Sequence, residues 1–225
     1  MQAVPRSYNG PYENAYLNQV AFPMGGMGAG MICLEGTGAF SHVSLRHKPE
    51  VFNEPLMFAA LHVKGAPTAR VLEGPVPMRK AFGTPGTGNG LGDRSYGLPR
   101  FAKASFTARF PFGLVRLTDP VMPVTVTLTG WSPFIPLDAD SSSLPVAAVE
   151  YTIKNRTSRL LKSVFSFHAK NFMAISGAEG QAVKPIRGGF VLCQARAKSA
   201  DEAYFAAFTP EAATSVDCGW FRGGW

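Results

Sequence analysis

Between Phe22 and Phe40 the chain gathers six glycines, from Gly25 to Gly38, and then runs into Ser41-His-Val-Ser-Leu-Arg46. A Gly-rich loop that opens a helix can cradle phosphate, but this one has the wrong spacing. A Walker loop needs Gly-x4-Gly-Lys-Ser/Thr, and Gly25-x4-Gly30 is followed by Met31-Ile32. A dinucleotide turn needs a third glycine after Gly26 and Gly28, and that position is Met31. Met31-Ile-Cys-Leu34, a Glu-Gly-Thr-Gly turn and the alternating Phe40, His42/Val43 and Leu45 instead predict a tight β-hairpin, with glycine supplying positive φ. The chain is thereby committed to antiparallel pairing close to its start.

The remaining segments repeat that pattern. Leu56–Val63 is a continuous apolar run between Asn-Glu-Pro and Lys-Gly-Ala-Pro, short enough for a buried strand, with Thr68–Leu72 expected beside it. Phe101–Phe110 turns at Pro111-Phe-Gly into Leu114–Leu117. Val124, Val126 and Leu128 alternate with three threonines, and Val149, Tyr151 and Ile153 alternate with Glu150, Thr152 and Lys154. A half-buried strand requires this period of two. Val164–His168, with Phe165 and Phe167 expected inward, then Phe190–Cys193 and Tyr204–Phe208 complete the set. Recurrent short strands between Gly/Pro turns predict an all-β fold, a large antiparallel β-sandwich with few or no helices. The 17 phenylalanines suit its two inner faces. The expected organisation is an N-terminal arm over 1–16, a sandwich domain over 17–218 and a connecting segment over 219–225. Residues 73–99, broken by four prolines and seven glycines, read as a flexible loop with its most mobile part at 83–92.

A length of 225 residues suits one large domain or two small ones, all-β domains often reach it unsplit, and it allows a core without staples. With 46% hydrophobic and 16% charged residues, disorder is excluded as the main state. The net charge of +7 invites a nucleic-acid reading, but the cations are scattered. The densest group, Lys154, Arg156, Arg159 and Lys162, surrounds a turn with no RNP box, zinc finger or basic helix, so no nucleic-acid partner is expected. Cys33, Cys193 and Cys218 are odd in number and form no Cys-x-x-Cys pair, as expected of small core residues in a reducing compartment. The opening Met-Gln-Ala-Val-Pro-Arg lacks an apolar h-region and no run is long enough to span a bilayer; a cytoplasmic location is the expectation.

Two blocks carry a family resemblance. Phe22-Pro-Met-Gly-Gly-Met-Gly-Ala-Gly30, Gly38-Ala-Phe40 and Leu45 resemble the opening of glycoside hydrolase family 116, which includes non-lysosomal glucosylceramidases and bacterial β-glucosidases. Asp138-Ala-Asp140-Ser-Ser-Ser-Leu-Pro145 resembles that family's Asp-Ser-Ser-Leu-Pro segment. The resemblance covers most of residues 17–225. It implies the N-terminal β-sandwich domain of a retaining β-glucosidase whose catalytic carboxylates lie on a following helical barrel. The chain stops at Trp220-Phe-Arg-Gly-Gly-Trp225, so the expectation is a domain without catalytic residues of its own. Its implied partner is the C-terminal catalytic domain, and the parent's substrate is a β-glucoside.

The residues themselves offer little competing chemistry. A retaining glycosidase needs two carboxyl groups about 5–5.5 Å apart. Asp138 and Asp140 are the closest pair in sequence, but the serines that follow favour a turn-capping role. Glu35 and Glu50 flank the Gly-rich hairpin as possible cleft residues without an evident carboxylate partner. His42 and His47, with Glu50 beyond, do not have zinc-ligand spacing. No cofactor and no metal are expected. Trp131 with Phe134, and Trp220 with Trp225, are candidate sugar platforms, though aromatics in a sandwich more often fill the core. The alternative function is a free-standing carbohydrate-binding sandwich without catalysis.

Overall fold

The computed structural model describes residues 6–51, 53–77, 80, 95–174, 181–194 and 203–206. They form two compact units, Met1–His168 and Ala169–Trp225. The fold is all-β, built from antiparallel sheets with short helical turns.

In the first unit, within the stretch read as an arm, β1 (Tyr12–Glu13) pairs with β7 and leads into a 3-10 helix, Asn14–Gln19. Then come β2 (Ala21–Met24), β3 (Met31–Glu35), β4 (Phe40–Ser44), β5 (Met57–Val63) and β6 (Arg70–Val71). β7 (Lys103–Arg109), β8 (Phe112–Thr118), β9 (Val124–Trp131), β10 (Ala148–Asn155) and β11 (Ser163–Ala169) follow. The main sheet has the order β1-β7-β8-β9-β10; two smaller sheets have the orders β2-β3-β4 and β11-β5-β6.

The expected hairpin is present. Glu35 N–H donates to Ala39 O at 2.8 Å and Gly38 N–H to Glu35 O at 2.9 Å, with Gly38 at φ +93°. A Cβ there would also meet Leu72, Val115 and Leu128, so turn and core share one glycine. The blurred alternation at His42/Val43 is a β-bulge: Cys33 faces Ser41 and Met31 faces Ser44, leaving two residues opposite one. His42 takes φ +52°, and Asn53 ties the bulge down by accepting from the amides of His42 and Val43.

The period-two segments face each other as predicted. Tyr151 lies opposite Leu128 and Ile153 opposite Val126, with the threonines of β9 on the other face. Val115, Leu117, Val126 and Leu128 are fully buried beneath the smaller sheets. Phe22 meets Phe106 at 6.1 Å between ring centroids, and a Cβ on Gly130 would strike Met24 and Leu34. On the same face Tyr151 meets Phe165 at 5.2 Å. These contacts make a sandwich, with one five-stranded layer covered by two three-stranded sheets. Each fully buried aliphatic or aromatic side chain stabilises it by about 1.5–3 kcal/mol. Phe165 departs from expectation: it faces inward yet remains 40% exposed, because β11 lies at the edge of its sheet.

The second unit contains β12 (Gln181–Ile186), β13 (Gly189–Gln194) and β14 (Ala203–Ala206), an antiparallel meander in that order. Val191, Leu192 and Cys193 are its buried stretch. Residues 83–92, Cys218, Trp220 and Trp225 lie outside the described residues. No helix among the described residues is long and apolar enough to cross a membrane.

Candidate functional site: a motif junction with an apolar rim

The two blocks singled out in the sequence meet at one end of the five-stranded sheet. Asp138 caps a one-turn helix, Ala139–Ser142, accepting from the Ser141 amide at 2.9 Å and the Ser141 hydroxyl at 2.7 Å. The Ser141 amide, then its hydroxyl, hold the Asp138 carboxyl below its ordinary value. Asp140 is exposed and makes no carboxylate pair with Asp138, whose oxygens are engaged by Ser141. The Ser142 hydroxyl closes the turn, accepting from the Ile135 amide at 3.0 Å and donating to the Ile135 carbonyl at 3.1 Å.

The Gly25–Gly30 loop seats on this turn. Met27 N–H donates to Ser142 O at 2.9 Å, and Gly25 N–H donates to Ser132 Oγ at 2.6 Å. Gly26 has no room for a side chain: a Cβ would collide with the carbonyl oxygens of Ser143 and Leu144. Gly25, Gly26 and Gly30 thus serve backbone-to-backbone contact, whereas a Cβ on Gly28 would meet open space.

The junction is ringed by apolar side chains left in solvent. Phe110, 72% exposed, packs edge-on against Phe134 with centroids 4.9 Å apart. Phe112 lies opposite Trp131 in the β8–β9 register and tilts against its ring at 6.5 Å. Ile135, Leu137, Leu144 and Val146 project from the capped turn and Met27 from the glycine loop, all exposed. Trp131 and Phe134, the predicted platforms, therefore belong to one surface with both motifs. Isolated exposed apolar residues are ordinary, but a contiguous set built on two hydrogen-bonded motifs marks an interaction surface.

Glu35 and Glu50 lie elsewhere. Glu50 holds a surface turn through Lys48 and Asn53, whose hydrogen bonds lower its pKa. Glu35 is buried and shares the Lys80 ammonium with Glu54, at 2.6 and 2.7 Å. Tyr96 donates to Glu54, and Arg100 pairs with the buried Glu73 at 3.2 Å. Burial raises the Glu73 carboxyl against the pull of Arg100 and Lys80. Two carboxylates around one ammonium make an ion-paired cluster, with both acids engaged by Lys80. The cluster fastens the ends of the 73–99 segment to the hairpin. Sequence reading missed it because its members are far apart in the chain and share no motif. His42 hydrogen-bonds Ser41 at 2.6 Å; among the described residues no group of three His, Cys, Asp or Glu side chains could hold a metal ion.

The family model described as beta-glucosidase 2, glycosyl-hydrolase family 116 N-term matches residues 21–216, a span that includes both blocks of the junction. No curated protein matches the chain. With most of its length matched, the chain belongs to glycosyl-hydrolase family 116 as that family's N-terminal domain.

Proposed function

We propose that this domain is a non-catalytic docking module. Its apolar rim packs against the catalytic barrel of a retaining β-glucosidase or glucosylceramidase-like enzyme, and the Gly25–Gly30 loop shapes one wall of that enzyme's cleft. The observation that carries this reading is the junction itself, where both family motifs form a single surface whose large apolar side chains face solvent. Apolar area left exposed on one partner stabilises a complex when covered, and aromatic anchors such as Phe110 and Phe134 contribute most. The parent reaction is hydrolysis of a β-linked glucose with retention, carried out by carboxylates of the barrel.

The test supplies a family 116 catalytic domain as a separate polypeptide and measures association and aryl β-glucoside turnover. The wild-type chain alone is expected to be inactive and to bind the barrel. Phe134→Glu with Leu137→Glu is expected to abolish association while lowering stability by no more than the Phe110–Phe134 contact contributes, about 0.5–1.5 kcal/mol. Unchanged association, combined with direct β-glucoside binding by the isolated chain, would favour the free-standing carbohydrate-binding alternative.

A further inference from the structure

A second concavity lies away from the motif junction. It is a cleft of about 700 Å³ between the 3-10 helix, the 75–77 segment and the outward face of β7 and β8. Its floor is set by strand register. Ser105 stands opposite Arg116 and Lys103 opposite Thr118, on the face opposite the buried Phe106, Val115 and Leu117. Glu13 borders the floor, and Pro75 and Pro77 form an apolar wall. The hydroxylated row continues beyond the cleft, since Arg116 faces Thr127 and Thr127 faces Thr152.

Arg116 differs from its neighbours. Arg70 is paired with Asp119, Arg100 with Glu73, and Arg109 donates to backbone carbonyls. The side chains of Arg116 and Lys103 have no hydrogen-bond or ion-pair partner among the described residues. Among the described residues Glu13 is the one carboxylate lining the cleft against these two cations, so the site favours an anion. A guanidinium offers paired N–H donors that fit a carboxylate or phosphate. Ser105, Thr118 and nearby asparagines can both donate and accept, as sugar hydroxyls require. Among the described residues no aromatic side chain lines the cleft, so these residues give it no platform on which a nucleic-acid base would stack. Its volume falls in the range of small-molecule sites, about 300–1,000 Å³.

We infer that this cleft is a binding site for a sugar bearing one oxyanion, with Arg116 holding the carboxylate or phosphate and Ser105 and Thr118 holding ring hydroxyls. The inference is independent of the docking role proposed above. It is tested by titrating the full 225-residue chain with glucuronic acid, glucose 6-phosphate, glucose and inorganic phosphate at millimolar concentrations, following amide chemical shifts. At least one anionic sugar is expected to shift Ser105, Arg116 and Thr118, and the two sugars distinguish carboxylate from phosphate. Arg116→Gln should weaken that binding about tenfold or more, the loss expected for a charged hydrogen bond. Thr118→Val should weaken it less, and Arg109→Gln, at the far end of β7, should leave it unchanged. Arg116 is exposed, so its variant should retain the wild-type urea midpoint. The inference is overturned if neither anionic sugar shifts these amides, if Arg116→Gln binds as tightly as wild type, or if inorganic phosphate binds as well as either sugar.

Discussion

Replacing Gly26 with alanine tests the motif junction most directly. The new methyl group would enter the space of the Ser143 and Leu144 carbonyls, which are backbone atoms fixed by the Asp138 cap and the Ile135–Ser142 hydrogen bonds. Neither side can yield by a change of rotamer. Overpacking of this kind costs about 1–3 kcal/mol, and losing the Met27–Ser142 hydrogen bond adds about 0.5–1.5. The expected total is about 1.5–4.5 kcal/mol. Gly28, two residues on, is the control. Its φ is +75° but a Cβ would point into open space, so Gly28→Ala should cost only the left-handed penalty, about 1–2 kcal/mol. Gly28→Asn should cost less, because asparagine tolerates that conformation. Urea unfolding followed by far-UV circular dichroism should place the Gly26→Ala midpoint below that of Gly28→Ala with an unchanged slope. Faster hydrogen exchange at the Met27 amide should accompany it. If the two alanine variants fall within about 0.5 kcal/mol of each other, the loop does not pack against the capped turn as described.

Lys80→Met should destabilise the first unit by about 3–5 kcal/mol, since it strands the carboxylates of Glu35 and Glu54. Adding Glu35→Gln and Glu54→Gln should recover part of that loss in urea titrations, and no recovery would refute the clamp. Burial, and secondarily the Glu35 carboxylate, push the Cys33 thiol up to about 11, so it should resist iodoacetamide at mildly alkaline pH until the chain is unfolded. Rapid native labelling in peptide mass spectra would contradict this. Burial acts to raise Asp119, but the Val121 amide and Arg70 outweigh it and leave the pKa below the ordinary 3.8. Its stabilisation is therefore complete above that value and is lost as pH falls through the lower, folded-state pKa. Asp119→Asn should flatten this acid limb of the urea midpoint, and an unchanged limb would rule out Asp119 as its source.

The strands were legible because their physics is local. In β9 and β10 the period of two records which residues face the core, and the observed pairs Val126–Ile153 and Leu128–Tyr151 unite the inward positions of both. Gly38 was legible as a turn residue because its neighbours are strand-like on both sides. Gly26 was not assigned its role, since a glycine required by a distant backbone looks the same in sequence as one required by its own φ. The Asp138 cap could be read from the serines beside it, but what rests on that cap could not. Lys80 had no sequence signal at all: its meaning depends on two carboxylates brought in by other segments. Tyr12–Glu13 showed too few alternating residues to stand out as a strand, and β7 supplies their pairing.

The hydrogen bond from Met27 to Ser142 joins the loop after β2 to the turn before β10. It closes a loop that spans the intervening strands, because the turn reaches Met27 by way of β9. Contacts so distant in sequence form late, after the loop entropy between them has been overcome. The apolar rim is thus a property of the completed first unit and does not exist on a partly folded chain. A partner that recognises the rim would recognise finished folding.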